Sequence, residues 1–240
     1  MIFDMHCHIL PGVDDGARNE GSTERMLNIA CEDGVDGIVA TPHFAYGQEK
    51  ETLEGIKRKY WKVRDLWKEM GRDKELFLGN EVFYSEGVVD SLNSGIALTM
   101  NGTRYVLVEF GVDAGPSYVE MAIQKLRYAG YHPIIAHVER YPKLKRVKTL
   151  QGLIEMGAYL QVNASTLCGE HGFMERHRMM RLMKLGLIHF VATDAHDSRA
   201  RRPKLKECTE FLQKELGEEK VRQIFEENPI RMLRGEELNG

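Results

Sequence analysis

Short runs of β-branched and apolar residues recur along the chain, with longer amphipathic stretches between them. The runs at residues 2–5, 37–41, 76–81, 105–109, 133–137, 159–163 and 189–193 have the length and composition of strands. The intervening stretches carry apolar residues at helical spacing. Residues 22–33 hold Met26, Leu27, Ile29 and Ala30, and residues 53–70 form a long charged helix. Further helices are predicted over 118–128, 144–156, 174–185 and 205–216. Strands alternating with helices imply βα units and a mostly parallel sheet. Seven units point to an α/β fold closed, or nearly closed, as a barrel; an open doubly wound sheet stays possible, because strand order is not written in the sequence. No Gly-x-Gly-x-x-Gly follows the first run, so a dinucleotide site has no support. There is no internal repeat and no Pro/Gly/Ser linker. With 240 residues, 42% of them hydrophobic, residues 1–240 read as a single domain.

Charge narrows the partners. A formal net charge of -3 gives no general electrostatic reason to bind nucleic acid or a membrane surface. Asp4, His6 and His8 follow Met1 almost at once, which leaves no room for an apolar signal region. No apolar run approaches the roughly 20 residues of a membrane helix. Four cysteines in a chain of this length do not resemble a disulfide framework. The expectation is a cytoplasmic protein without membrane insertion.

The chemistry sits where the strands end. The first run delivers His6 and His8, the second His43 and the third Glu81. The fourth delivers Glu109, the fifth His137 and the seventh Asp194 with His196. In an α/β barrel all C-terminal strand ends face one mouth, so residues scattered through the chain would meet there. Residues i and i+2 of a strand share a side, so His6 and His8 can grip one cation while Cys7 points away. Asp194 and His196 repeat that spacing, and Glu81 can bridge two cations. The set exceeds the four ligands of a single tetrahedral zinc, which suggests two or three divalent ions. Imidazole and carboxylate without thiolate suit Mn²⁺, Fe²⁺ or catalytic Zn²⁺, and the hard oxygens favour manganese. Each residue alone has an ordinary reading, a hydrogen-bonded histidine or a rim charge. Their recurrence on six of seven strand ends carries the inference. His132, His171, His177 and His189 fall at strand starts or in helices and read as structural.

The segment His6-Cys7-His8-Ile9-Leu10-Pro11-Gly12-Val13-Asp14-Asp15-Gly16-Ala17 resembles the opening of the PHP (polymerase and histidinol phosphatase) family. It is most similar to the bacterial manganese-dependent tyrosine phosphatases of the CpsB/YwqE type. Thr41-Pro42-His43, Gly79-Asn80-Glu81, Ala136-His137-Val138-Glu139-Arg140-Tyr141 and Thr193-Asp194-Ala195-His196 continue the likeness, over roughly 1–234. The resemblance implies a distorted TIM-like barrel of seven βα units and three metal positions. His6, His8, Glu81 and Asp194 would hold the first; Glu81, Glu109 and His137 the second. Asp15 (favoured over Asp14), His43 and His196 would hold the third. It also implies removal of phosphate from the tyrosine-rich tail of a cognate bacterial kinase that controls capsule or exopolysaccharide export. Arg140, three residues past His137, is a candidate phosphate clamp, with an ordinary loop ion pair as its alternative. His43 or His196 could assist the leaving phenolate. The run Arg199, Arg201, Arg202, Lys204 and Lys206 is either a basic rim or the solvated first turn of the last long helix. The charges over 57–68 suit an exposed helix face.

A cysteine mechanism fails on spacing. Thiol tyrosine phosphatases place Arg six positions after the nucleophile, and here those positions hold Val13, Gly37, Met174 and Lys214. Three other readings stay open. They are a phosphatase for a small phosphomonoester such as histidinol phosphate, an amidohydrolase (which also opens with His-x-His), and a non-catalytic metal-binding regulator.

Overall fold

The computed structural model describes residues 1–48, 50–71 and 74–238. Residues 49, 72–73, 239 and 240 of the expected 1–240 unit lie outside that description. The strands are β1 (Phe3–Cys7), β2 (Gly37–Ala40), β3 (His43–Phe44), β4 (Glu75–Leu78), β5 (Glu81–Phe83), β6 (Tyr105–Glu109), β7 (His132–Ile135), β8 (Tyr159–Asn163) and β9 (Phe190–Ala192). Every pairing among them is parallel, in the orders β1-β2-β4 and β3-β5-β6-β7-β8-β9. Backbone bonds then bring the first strand beside the last: His8 N donates to Ala195 O at 2.8 Å and Asp194 N to His6 O at 2.9 Å. The sheet is therefore curled, and the ends of the chain's first and last strands meet.

The run expected at 76–81 is interrupted, and the one expected at 37–41 is followed by a short strand that no run announced. Pro42 offers no N–H to a ladder, so β2 stops before it and a short β3 follows. Beyond β4 the chain passes Gly79 and Asn80. A Cβ at Gly79 would lie 2.9 Å from Met100 Sδ and 3.3 Å from its Cα, so the chain approaches Met100 closely there. The Asn80 side chain replaces missing ladder bonds, donating to Pro42 O at 2.8 Å and accepting from Leu98 N at 2.8 Å. One divided run and one added strand make nine segments where seven runs were expected.

The helices are α1 (Glu20–Glu32), α2 (Leu53–Glu69), α3 (Val88–Asn93), α4 (Pro116–Tyr128), α5 (Val147–Glu155), α6 (Ala164–Cys168), α7 (Phe173–Lys184), α8 (Lys206–Leu216), α9 (Glu218–Arg222) and α10 (Asn228–Arg234). Asn19 and Thr52 cap α1 and α2 by accepting from Ser22 N and Gly55 N. The buried face of α1 is Thr23, Met26, Leu27 and Ala30, spaced as a helix on a sheet requires. Helices α3, α6, α9 and α10 are too short for periodicity to announce them. A π-helical turn, Gln223–Glu227, joins the last two.

Two apolar layers result. One lies between sheet and helices; the other fills the interior of the curl with Phe3, Met5, Tyr105, Leu107, Ile134 and Phe190. Met232, Leu233 and Leu238 join the inner layer. Tyr105, at the start of β6, donates its hydroxyl to Glu236 O at 2.7 Å. The C-terminal segment thus covers the end of the sheet where strands begin. Polar side chains collect at the other end.

His189, just before β9, is structural. Its Nδ1 accepts from Leu160 N at 3.1 Å, so the ring must be neutral. Burial and the nearby Lys220 hold its pKa down, from 6.5 to about 4. The unfolded chain takes up this proton below pH 6.5 and the folded one only near 4, so stability falls as pH drops through that window. The loss is on the order of 3 kcal/mol. His189→Gln, which keeps an acceptor, is expected to flatten the fall in Tm between pH 6.5 and 4; an unchanged slope would remove His189 as its source.

Candidate metal centre

Nine side chains reach the C-terminal ends of the strands. His6 is on β1 and His8 just beyond it; Asp15 is in the following loop. His43 opens β3, Glu81 opens β5 and Glu109 closes β6. His137 follows β7, while Asp194 and His196 follow β9. Three compact groups form: His6, His8, Glu81 and Asp194; His8, Asp15, His43 and His196; and His43, Glu81 and Glu109. His137 Nε2 lies 2.8 Å from Glu81 Oε1 and 3.4 Å from Glu109 Oε1, facing both carboxylates. All nine expected residues are therefore together.

Hydrogen bonding decides which atoms point inward. His137 N donates to Gln161 Oε1 at 2.8 Å, which fixes the orientation of that amide. His6 Nδ1, 3.2 Å from the same oxygen, must then be the donor, and its Nε2 carries a lone pair. Asp14 Oδ2 lies 2.7 Å from His8 Nδ1 and also accepts from His43 N at 2.9 Å, so His8 likewise turns Nε2 inward, bare whenever the ring is neutral. These two nitrogens are 3.1 Å apart. Each lies 3.2 Å from Glu81 Oε2, and they are 3.4 and 3.5 Å from Asp194 Oδ1. Both oxygens are buried without a hydrogen-bond partner. Four lone pairs thus converge in a dry interior. Separations of 3.1–3.5 Å match the edges of a tetrahedron with metal–ligand distances of about 2.1 Å, roughly 3.4 Å. The donor set fits a divalent cation.

The second group repeats the logic. His196 Nδ1 donates to Asp194 O at 2.9 Å, which turns the Nε2 lone pair toward Asp15 Oδ1 at 3.5 Å. His43 Nε2 lies 3.4 Å from that oxygen and its Nδ1 lies 3.1 Å from Glu81 Oε2. Without a metal, the carboxylates draw protons. Burial opposes charge on His137, yet Glu109 and Glu81 raise its pKa to about 9. Burial also opposes charge on His8, and Asp14, Asp194 and Glu81 raise it well above the usual imidazole value. Asp14 itself is pushed down despite burial by its bonds to His8, His43 N and Gly16 N. Asp14 therefore orients His8, whereas Asp15, more than half exposed, is free to turn toward a ligand.

Backbone strain marks the same place. Only three non-glycine residues have positive φ among the described ones, and two are His137 (φ 32) and Asp194 (φ 52). This is why the strands expected at 133–137 and 189–193 stop early: each chain turns to aim its ligand inward. Cys7 is fully buried, and burial with Asp4, Asp194 and Asp14 pushes its thiol pKa far up, so it is no nucleophile.

The family model for capsular polysaccharide synthesis, CpsB/CapC, matches residues 2–234. This chain belongs to the CpsB/CapC family. It is 32% identical to tyrosine-protein phosphatase YwqE of Bacillus subtilis, over 99% of this chain and 93% of that protein. It is 29% identical to tyrosine-protein phosphatase CpsB of Streptococcus pneumoniae, over 97% and 98%. A crystal structure from a study of those two proteins, described as metal-dependent tyrosine phosphatases, matches with a TM-score of 0.91 at 32% identity, covering 99% of this chain and 96% of the other. A dihydropyrimidinase from Brevibacillus agri shares the fold alone, with a TM-score of 0.60 at 12% identity.

In this CpsB/CapC chain several supporting residues escaped the reading of strand ends. Strand β8 supplies no ligand, yet its Gln161 and Asn163 hold the same i, i+2 spacing as His6 and His8. Gln161 orients His6 and His137, and donates to Asn163 Oδ1 at 2.8 Å. Asn163 donates to Asp194 Oδ2 at 2.9 Å. Asp4 holds the end of β9 by accepting from Thr193 N at 2.9 Å. The spacing on β8 was the available signal; neutral amides simply do not look like ligands.

The arginines also find their places. Arg140 Nη2 donates to Asp194 Oδ2 at 2.6 Å, and Arg201 Nη2 lies 2.7 Å from the same oxygen. The Arg201 nitrogen is buried and makes no hydrogen bond of proper geometry. Residues 199–204 precede α8, so they form a rim and not a helical turn. Removing the Gln161 acceptor with Gln161→Leu is expected to weaken Mn²⁺ binding about 10–100-fold, read by titration calorimetry. Unchanged affinity would show that the amide does not orient the ligands.

Proposed function

We propose that this chain is a metal-dependent phosphatase that removes phosphate from phosphotyrosine in proteins. The observation that carries the reading is the convergence of four inward lone pairs, two of them on orphaned buried carboxylate oxygens, beside two guanidinium groups. The relatives named as tyrosine-protein phosphatases support the substrate class. His6, His8, Glu81 and Asp194 would hold one cation. Glu81, Glu109 and His137 would hold a second, and Asp15, His43 and His196 a third. The oxygen-rich set favours Mn²⁺ over Fe²⁺ or Zn²⁺. When bound, such ions supply Lewis acidity, activating water and offsetting phosphoryl charge.

The chain's own groups do the rest. Arg140 and Arg201, already ordered against Asp194, present planar forks that match phosphoryl oxygens. The phenolate leaves readily, its conjugate acid having a pKa near 10. His43, 33% exposed, meets solvent and can pass it a proton more easily than His196, at 6%. Arg202 and Lys204 extend the basic rim beside Arg201 and would draw an acidic phosphopeptide. We infer that the protein substrate is the tyrosine-rich tail of a cognate bacterial kinase, in keeping with the capsular polysaccharide family. A cytoplasmic location would put the enzyme beside such a tail; no helix among the described residues is long and apolar enough to cross a membrane.

We also take residues 1–240 as one domain built from seven βα units. β2 with β3, and β4 with β5, each count as one interrupted strand on this reading, and the bonds from β1 to the end of β9 support closure.

A chelator is expected to abolish hydrolysis of an aryl phosphate, and Mn²⁺ to restore it, while a thiol-alkylating reagent leaves it intact. The reverse sensitivity would overturn the metal mechanism. Arg140→Ala should lower kcat about 10²–10³-fold with bound metal unchanged, measured by steady-state kinetics alongside metal analysis. A variant as active as the parent would remove Arg140 from the site.

A further inference from the structure

Two recesses open onto the polar cluster, and they share no residue. One, of about 430 Å³, is walled by Arg140, Arg201, Arg202 and Lys204; its other walls are polar or small. It meets the cluster through the two arginines on Asp194. The second, of about 570 Å³, meets the cluster through Asp15 and His43. Its walls are mixed: Val13, Phe44, Leu53, Ile56 and Ile96 form an apolar side, and Lys50 and Glu51 are among its polar residues.

Ile96 needs an explanation. It is 53% exposed, at the wall of this groove, and belongs to neither apolar layer of the core. Leu53, at the first position of α2, is also absent from both layers. Large aliphatic side chains left half open beside a polar centre keep apolar surface in water after folding. They gain from a ligand that covers them.

An aryl phosphate has two halves with opposite needs. The dianionic phosphoryl group seeks guanidinium donors, which the first recess supplies. The ring seeks apolar contact, and it releases water from every aliphatic surface it covers. We propose that the groove lined by Val13, Phe44, Leu53 and Ile96 is the subsite for the tyrosyl ring, and that it makes the protein select aryl over alkyl phosphoesters. This deepens the phosphatase reading and rests on it. The phosphoryl group is shared between the cluster and the arginines, while the ring leaves the cluster past Asp15 and His43 into the groove. Selectivity for tyrosine over serine or threonine phosphate then follows from pocket shape: a short aliphatic chain leaves these walls uncovered.

The test uses non-hydrolysable probes, so it is independent of turnover. Phenylphosphonate and methylphosphonate are titrated into the Mn²⁺-loaded protein by calorimetry. The parent is expected to bind the phenyl compound about tenfold more tightly. Ile96→Asp and Leu53→Ser, both at solvent-accessible positions, are expected to erase most of that preference, with methylphosphonate binding preserved. Circular dichroism confirms that each variant is folded. A parent without the preference, or a preference that survives in both variants, overturns the ring subsite. A protein that shows the preference and loses it in the variants, yet hydrolyses no phosphotyrosine peptide, keeps the subsite and defeats the phosphatase reading.

Discussion

Electron-rich atoms packed face to face in a dry interior set the terms for the rest of the structure. His6 Nε2 and His8 Nε2 lie within 3.5 Å of each other, of Glu81 Oε2 and of Asp194 Oδ1. In water each such lone pair would accept a hydrogen bond from solvent. Here burial forbids that, and leaving them unpaired costs free energy at every atom. Only positive charge resolves the conflict. Protons supply some of it, which is why His8 and His137 are basic. Divalent cations would supply more, and would meet each atom at bonding distance.

Holding such a cluster together takes rigid surroundings. The parallel sheet brings all the ligands to one end, and the C-terminal segment seals the other with Met232, Leu233 and Leu238. Backbone bonds between β1 and the end of β9 join the first ligands to the last. His137 and Asp194 accept left-handed backbone, at a cost of about 1–3 kcal/mol each, because neighbouring bonds over-determine them. Behind them, Gln161, Asp14 and Asn163 assign the inward nitrogen or oxygen of His6, His8 and Asp194, and Gln161 also holds the backbone of His137. The proposed chemistry depends as much on these amides and this carboxylate as on the ligands.

The surroundings of the cluster are unequal, and the inequality has chemical meaning. Arginines gather where Asp194 anchors them, and aliphatic side chains gather beyond Asp15 and His43. A phosphoester placed across the centre would meet charge with charge and ring with hydrocarbon. Cys7 offers no thiol chemistry here, since it is sealed beneath the histidines it separates.

The sequence by itself determined the alternation of strand and helix, because hydrophobic periodicity is a local property. It also picked out the side chains that the fold gathers at one end of the sheet, and the i, i+2 spacing of His6 with His8 already implied a shared side. Interruptions at Pro42 and Gly79–Asn80 were less legible, since they depend on contacts with Met100, Leu98 and one another across the sheet. The short helices α3, α6, α9 and α10 escaped because fewer than two turns leave no period to detect. Only the tertiary structure decided that Asp14 orients His8 while Asp15 faces His43 and His196. It alone placed Arg201 on Asp194, and turned the ligand-free strand β8 into the support of the centre. The physical reason is that a residue's type limits what it can bind, while its role follows from which lone pairs its neighbours have already used.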